Sequence, residues 1–168
     1  MSEKRKDHKG RILKTGESQR KDGIYQYRYT DFRGKRQTVY ASTLQELRQK
    51  EKEIQKQIDD GIDYEAGQIT VIELLEKYIS LKKGVRYNTQ VGYNFVLNLV
   101  KKEDFGYRKI STIKVSDAKQ WFVKLQKDGR GYSTITSVRG VVKPAFQRAC
   151  DEDAIRKNPF IFKLTDVV

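Results

Sequence analysis

The first third of the chain alternates apolar and polar residues, and the remainder repeats apolar residues at helical spacing. The alternation is clearest over residues 24–31, which predict a strand. Successive side chains of a strand point to opposite faces, so three tyrosines fall on one face while Gln26 and Arg28 lie on the other. One face can therefore pack, and the other can hydrogen-bond and carries a cation. The tyrosine face consists of Tyr25, Tyr27 and Tyr29.

Two weaker patterns predict neighbouring strands over 11–15 and 37–41. The dipeptide Asp22-Gly23 is a strong hairpin signal, and residues 33–35 predict a second turn. Because both connections are short, we expect the three strands to pair antiparallel in one sheet.

A helix is predicted over 43–60. Thr43 and Glu46 have the spacing of a capping box, which satisfies free backbone N–H groups at the start of a helix. Apolar residues then recur at three- and four-residue spacing along one stripe, and the tyrosine face of the sheet offers that stripe a partner. The stripe consists of Leu44, Leu47, Ile54 and Ile58.

Helical periodicity continues from residue 71 to the end of the chain. The second of these helices is expected to bury Val91 and Phe95 together with the later Leu99 and Val100. Pro144 is expected to kink or interrupt the last helix, because it lacks an N–H group. The predicted helices cover about 71–82, Asn88 to Lys102, Ser116 to Asp128, and Ser133 onward, with the two serines as N-caps.

These patterns predict an α+β amino-terminal domain, with a three-stranded antiparallel sheet and one helix at its carboxyl end, followed by an all-α domain of four to five helices. Residues 61–69 contain no lysine or arginine and read as a linker. The predicted boundaries are a flexible basic arm over 1–10, a first domain over 11–60, a linker over 61–69, a second domain over 70–160, and a tail over 161–168.

Charge narrows the class of partner. The 168 residues carry a net charge of +13, which indicates a polyanion such as nucleic acid or an anionic membrane surface. One cysteine and one histidine cannot form a disulfide framework or a Cys/His metal site, so we expect no metal. There is no glycine-rich phosphate loop, and we expect no cofactor. No apolar run approaches the length of a membrane span, and a cytoplasmic location is expected.

Two predicted helices carry polar, cationic faces. Arg139 and Lys143 are four residues apart and therefore neighbours, with Gly140 between them leaving room for a backbone or a phosphate. Gln90 and Asn94 lie on a similar face of the helix that starts near Asn88. For each helix alone, a solvated surface explains the pattern equally well, and a solvent-facing hairpin is the corresponding alternative for the strand.

Two segments resemble the tyrosine recombinases, or phage integrases. The stretch from Ala149 to Phe160, with its Asn158-Pro159 pair, resembles the end of their helical core-binding domain, which has a SAM-like fold. Residues 16–23, the tyrosine-rich strand and residues 60–63 resemble the amino-terminal arm-binding domain of conjugative-transposon integrases. The resemblance spans nearly the whole chain.

This resemblance implies specific roles. The sheet would enter the major groove of double-stranded DNA at arm-type sites, and the two polar helices would clamp core-type sites. An excision factor and other integrase protomers are the further partners it implies. The implied DNA-binding residues are Arg5, Lys14, Arg20, Lys21, Gln26, Arg28, Tyr40, Arg86, Asn88, Thr89, Gln90, Asn94, Thr136, Arg139 and Lys143.

The catalytic constellation of that family, an Arg/Lys/His-x-x-Arg set with a tyrosine nucleophile, is not expected here. His8 to Arg11 matches His-x-x-Arg only within the charged arm. We therefore expect no catalytic residue in this chain, and DNA binding by the amino-terminal portion of a site-specific recombinase that integrates and excises a mobile element. The alternatives are a self-contained nuclease or recombinase, and a stand-alone basic nucleic-acid-binding, protein-interaction or regulatory module.

Overall fold

The computed structural model describes residues 4–168, which form two compact units, one ending at Ile62 and one beginning at Asp63. The expected class, an antiparallel three-stranded sheet with one helix followed by an all-α body, is confirmed. The first unit contains β1 (Glu17–Gln19), β2 (Tyr25–Thr30), β3 (Arg36–Ala41) and α1 (Leu44–Asp60). The second contains α2 (Val71–Ser80), α3 (Tyr87–Lys101), α4 (Val115–Lys127) and α5 (Tyr132–Asp151), joined by short 3-10 turns.

The sheet has the order β1-β2-β3, with both pairs antiparallel. The first strand lies at Glu17–Gln19, so the prediction of a strand over 11–15 was wrong. Glu17 explains the error: its side chain is fully buried beneath the sheet, where Arg48 of α1 donates to it at 3.0 Å. Charged residues are seldom buried unless they are paired, and the sequence does not show the pairing. A glutamate is therefore not predicted at an inward-facing position of a strand.

Gly16 sets the start of β1. Its φ of +89° belongs to the left-handed region, and its carbonyl oxygen accepts from the N–H of Arg28 at 3.0 Å. A Cβ at this position would lie 2.7 Å from the carbonyl oxygen of Arg28, so only glycine fits against the strand.

Residues 4–10 are not the flexible arm that was predicted. Lys6 forms an isolated antiparallel bridge with Ile12, and the N–H of Leu13 donates to the carbonyl oxygen of Arg5. Asp7 is buried and accepts from the Arg11 side chain at 2.8 Å and the Tyr25 hydroxyl at 3.0 Å. Burial alone would raise the pKa of Asp7, but the hydrogen bonds from Arg11 and Tyr25 outweigh it and lower the pKa to about 2.

The second unit begins earlier than expected, because most of the predicted linker belongs to it. The N–H of Asp63 donates to the carbonyl oxygen of Asp153 at 2.8 Å, and Gly67 is buried. The capping box at the start of α2 forms as predicted, between Thr70 and Glu73. Only the first residues of the predicted linker therefore remain outside the unit.

The predicted caps of α4 and α5 were wrong. Lys114 and Gly131 occupy the N-cap positions in place of Ser116 and Ser133. Asp117 stabilises the start of α4 by accepting from the N–H of Lys114 at 2.8 Å. The α5 helix continues through Pro144. A proline ring inside a helix crowds the carbonyl four residues earlier, and here that residue is Gly140, which has no side chain to add to the crowding.

The residues that α3 buries also differ in part from the predicted ones. Val96, Leu99 and Val100 are buried, whereas Val91 and Phe95 are 47% and 46% exposed. Short apolar runs fit more than one helical stripe, and the packing of α2 and α5 against α3 selected the later residues.

The segment after Asn158 closes the core of the second unit. Phe160 is fully buried against the rings of Trp121, Phe122 and Phe146. Asn158 holds this turn by donating to the carbonyl oxygen of Lys143 at 2.9 Å and accepting from the N–H of Phe160 at 3.0 Å. The predicted tail over 161–168 thus packs on its own unit, as the buried Leu164 also shows.

Candidate nucleic-acid interface

One face of the sheet is open and polar. In the antiparallel register Gln26 lies opposite Ser18 and Tyr40, and Arg28 lies opposite Thr38. Paired residues share a face, so side chains from all three strands form one surface. We call this surface the open face, and it contains no carboxylate: Ser18, Gln26, Arg28, Thr30, Arg36, Thr38 and Tyr40.

Neighbouring side chains hold Gln26 and Tyr40 in place on the open face. The Gln26 amide donates to the Ser18 hydroxyl at 2.8 Å, which leaves its carbonyl oxygen free to accept. The Arg20 guanidinium lies 5.8 Å from the centre of the half-exposed Tyr40 ring. Arg28 is exposed near the middle of the face. This arrangement offers an acceptor, donors and two cations to a ligand above the sheet.

Not all the predicted contacts of the first unit lie on this face. Arg20 and Lys21 occupy the exposed turn between β1 and β2, although Arg20 also pairs with Asp22 at 3.3 Å. Lys14 instead lies in the groove formed by Tyr27, Glu51 and α1, on the opposite side of the sheet. Arg5 is exposed on the folded-back segment.

The opposite side of the sheet is closed by α1, as the tyrosine face predicted. Tyr25 is buried with Leu44 and Leu47, and Tyr27 packs against the same cluster. Beneath it, burial and the adjoining carboxylate of Glu17 raise the pKa of Glu51 to about 7. Since this side is occupied, the open face is the one available to a ligand.

In the second unit, α3 and α5 lie in stretches without carboxylates. No Asp or Glu occurs between Glu76 and Glu103, nor between Asp128 and Asp151. The two helices pack directly against one another in the described structure. An outward surface free of carboxylates avoids repelling phosphate groups, and this signal was available in the sequence.

Both helices also begin in the same way. The N-cap residues Arg86 and Gly131 make no side-chain capping bond, and neither first turn contains an acidic residue. Asn88 and Thr89 are exposed in the first turn of α3. Free N–H groups and the helix dipole at such an end favour an anion.

The outer side of α5 is small and polar. The exposed Thr136 hydroxyl donates to the Tyr132 carbonyl oxygen at 2.9 Å, and its oxygen can also accept a hydrogen bond. A Cβ on Gly140 would meet nothing within 4 Å, so packing within this unit does not require glycine there. Lys143 is half-buried beside it.

Arg139 has a structural partner that the sequence did not indicate. Its guanidinium donates to the carbonyl oxygen of Phe162 at 2.6 Å, which anchors the final segment to α5. On α3, Gln90 donates to the Asn94 side chain at 3.4 Å, so these two predicted residues do lie together.

Four residues of the open face were missed as site residues, and one of them, Thr30, lies on the same side of β2 as Gln26 and Arg28. Ser18 was read as part of a turn because the first strand was misplaced, and Arg36 and Thr38 belong to a strand whose register the sequence does not state. Pairing each residue of β3 with β2 from the 33–35 turn would have found both.

Within residues 4–168, no three His, Cys, Asp or Glu side chains are placed to hold a metal ion. Over the same residues, no helix is long and apolar enough to cross a membrane.

Comparison with known proteins bears on both units. Residues 1–58 match the family model described as the DNA binding domain of Tn916 integrase. The transposase of Tn916 from Enterococcus faecalis is 42% identical over the whole chain, which covers 45% of that protein. A XerC-like tyrosine recombinase of Caldanaerobacter subterraneus is 28% identical over 83% of this chain and 38% of that protein. The chain thus spans less than half the length of these relatives.

A solved structure also resembles this chain. The Tn1549 transposon integrase, in complex with a circular intermediate DNA, is 36% identical over 60% of this chain and 32% of that chain, with a TM-score of 0.58.

Proposed function

We propose that this chain, whose residues 1–58 match the DNA binding domain of Tn916 integrase, binds double-stranded DNA sequence-specifically through two separate surfaces. The first is the open face of the sheet, and the second is formed by α3 and α5. The observation that carries the proposal is the open face itself: a surface without carboxylates, carrying Gln26 and Arg28, on a sheet whose other side is closed by α1.

The open face fits the major groove of DNA. A β-ribbon can enter that groove, where arginine reads guanine through O6 and N7 and glutamine reads adenine through N6 and N7. Arg28 and Gln26 supply these two side chains, two residues apart on β2. Arg20 and Lys21, on the adjoining turn, supply charge for the phosphates on either side.

The second surface combines cations with free helix ends. Arg86, Asn88 and Thr89 surround the start of α3, and Gln90 and Asn94 continue along its exposed side. Thr136 and Lys143 provide the corresponding contacts on α5. Because the Arg139 side chain is hydrogen-bonded to the carbonyl oxygen of Phe162, we propose that Arg139 contributes less to phosphate binding than Lys143 does.

For the whole protein we propose the role of a tyrosine-type recombinase that moves a mobile element in the bacterial cytoplasm. The sheet would bind arm-type sites, and the helices would bind core-type sites beside the point of cleavage. We propose that the residues of this chain bind DNA but do not cleave it. Other protomers and an excision factor would assemble with it on DNA.

Selection from random-sequence double-stranded DNA tests the proposal with the chain as it is. We expect enrichment of defined sequences and retention of binding in the presence of excess RNA. Equal affinity for RNA and for the selected DNA would contradict a DNA-reading role and favour a general nucleic-acid-binding module.

A nicked suicide DNA substrate tests whether this chain binds DNA without cleaving it. We expect binding without a covalent protein–DNA adduct, because no tyrosine of this chain is proposed as a nucleophile. A stable adduct would show that the chain is itself a recombinase or nuclease.

A further inference from the structure

Three large apolar side chains are exposed along the outer side of α3. Tyr87, Val91 and Phe95 are 81%, 47% and 46% exposed. They are four residues apart, so each lies about one turn from the next on one side of the helix. We call these three residues the outer stripe. The core does not need them, because the inner side of α3 is filled by Val96, Leu99 and Val100.

The chemistry around the outer stripe is amide and cationic. Asn94 and Asn98 project from the same exposed side of the helix, and Arg86 stands at its start, whereas Lys101 at its end is paired with Glu76 of α2 at 2.7 Å. No carboxylate occurs in α3 itself. A helix surface that joins apolar groups to amides and a cation, with no acid of its own, complements a polyanion that also presents apolar groups.

We propose, building on the DNA binding proposed for α3, that the outer stripe lies in the major groove and contacts the C5-methyl groups of thymines. An α-helix fits this groove, whose phosphates and base edges are polar apart from the thymine methyl. Apolar side chains pressed against phosphates would lose free energy, so the methyl is the group that suits Val91 and Phe95. Both lie near the middle of α3.

The asparagines beside the stripe favour the same base pairs. Asparagine recognises adenine through N6 and N7, and the Asn94 amide is already held by Gln90 at 3.4 Å. Methyl contact and amide pairing are independent chemistries that both select A·T pairs. Val91 and Phe95 are separated by about 6 Å along the helix axis. That distance is close to two base-pair steps of about 3.4 Å each, so the inferred target carries thymines about two base pairs apart.

Deoxyuridine substitution tests this inference, because it removes the thymine methyl and nothing else. In a site selected by the full chain from random DNA, each thymine in turn is replaced by deoxyuridine, and the dissociation constant is measured. Removal of one buried methyl group is expected to weaken binding about fourfold. In the double variant Val91→Ser with Phe95→Ser, the same replacement should have no effect.

Ile161→Ser is the matched control, since Ile161 is a 60% exposed apolar residue outside α3. This control should keep the fourfold effect. Unchanged Trp121 fluorescence would show that each variant keeps its core.

The outcomes separate the two proposals. If the chain selects DNA but deoxyuridine has no effect at any thymine, or acts equally on the double variant, the inference is overturned and DNA binding stands. Failure to select any DNA overturns both. If the free chain self-associates in sedimentation and the double variant does not, a second copy covers the outer stripe and the inference is overturned.

Discussion

The carboxyl pair beneath the sheet should make the stability of the first unit depend on pH near neutrality. Burial would raise the pKa of Glu17, but two hydrogen bonds from Arg48, at 3.0 and 3.1 Å, help to lower it to about 2. Burial and this ionised neighbour raise the pKa of Glu51 to about 7. Among the described residues, Glu51 Oε1 is buried without a hydrogen-bond partner, which disfavours its ionised form. Glu51 therefore carries the proton that joins the pair.

The sign and size of the effect follow from proton binding. Glu51 has a folded-state pKa of about 7 against an ordinary value of 4.5, so the folded state binds more protons and stability falls as pH rises through 7. Such a shift changes the free energy of unfolding by about 1.3 kcal/mol between pH 6 and pH 8. Since water reaches the half-buried residue, we expect about 0.5 to 1.3 kcal/mol. Glu17 stays ionised in both states over this range and adds no slope.

Glu51→Gln isolates the effect, because the amide can still donate to Glu17 but cannot titrate. We would unfold the full chain with urea at pH 6, 7 and 8 and follow the amide NMR signals of β2. Wild type should lose stability over this range, and Glu51→Gln should not. Trp121 fluorescence reports the second unit and serves as an internal control. Equal pH dependence in both proteins, or a Glu51 carboxyl ¹³C midpoint near 4.5, would refute the reasoning.

Three further predictions concern the second unit and its border. Asn158→Ala removes the bonds to Lys143 and Phe160 and should lower the free energy of unfolding by about 2 to 3 kcal/mol, measured by Trp121 fluorescence; a decrease below about 0.5 kcal/mol would contradict the role of Asn158. A broad-specificity protease should cut first next to Ile62, because Asp63 is bound to Asp153; first cleavage within 65–68 would place those residues outside the unit. Arg86→Ala with Lys143→Ala should reduce the salt-dependence slope of core-site binding by about 0.9 for each phosphate that the variant no longer neutralises. Lys127→Ala with Lys163→Ala, two exposed lysines outside α3 and α5, is the charge-matched control, and equal slopes for both would place α3 and α5 away from DNA.

The sequence predicted those elements whose local signals agree with their burial. Strand β2 alternates regularly, its turn contains Asp22-Gly23, and α1 and α2 begin at threonines three residues before glutamate. Each of these features is set by neighbours in the chain, so periodicity and capping patterns report it directly.

The misplaced elements depend on distant contacts. β1 was misplaced because the burial of Glu17 depends on its pairing with Arg48, thirty-one positions away. The inner side of α3 was misassigned because packing against α2 and α5 decides it. The predicted arm was wrong because Asp7 is buried by its bond from Tyr25, eighteen positions away. Long-range pairing of charges is invisible to local patterns.

The candidate site also contains some residues whose positions follow from local patterns and others whose positions depend on the folded structure. Gln26 and Arg28 could be placed on one face from strand alternation alone, whereas Tyr40 joins them through the pairing of β3 with β2, which the structure gives. Lys14 was grouped with them because it is close in sequence, yet it lies on the α1 side. The hydrogen bond from Arg139 to Phe162 could not be predicted either, because every residue has a main-chain carbonyl and the sequence does not show which one is bound.

Two separate DNA-binding surfaces are the central claim, and Arg28→Ala tests it most directly. The variant, wild type and the control Lys52→Ala on α1 would be titrated with arm-type and core-type sites at one salt concentration. Removing a base-reading side chain should weaken arm-site binding by about 1 to 3 kcal/mol, or roughly 5- to 150-fold, and leave core-site binding unchanged. An equal decrease in affinity at both sites, or an arm-site decrease no greater than that of Lys52→Ala, would contradict the claim.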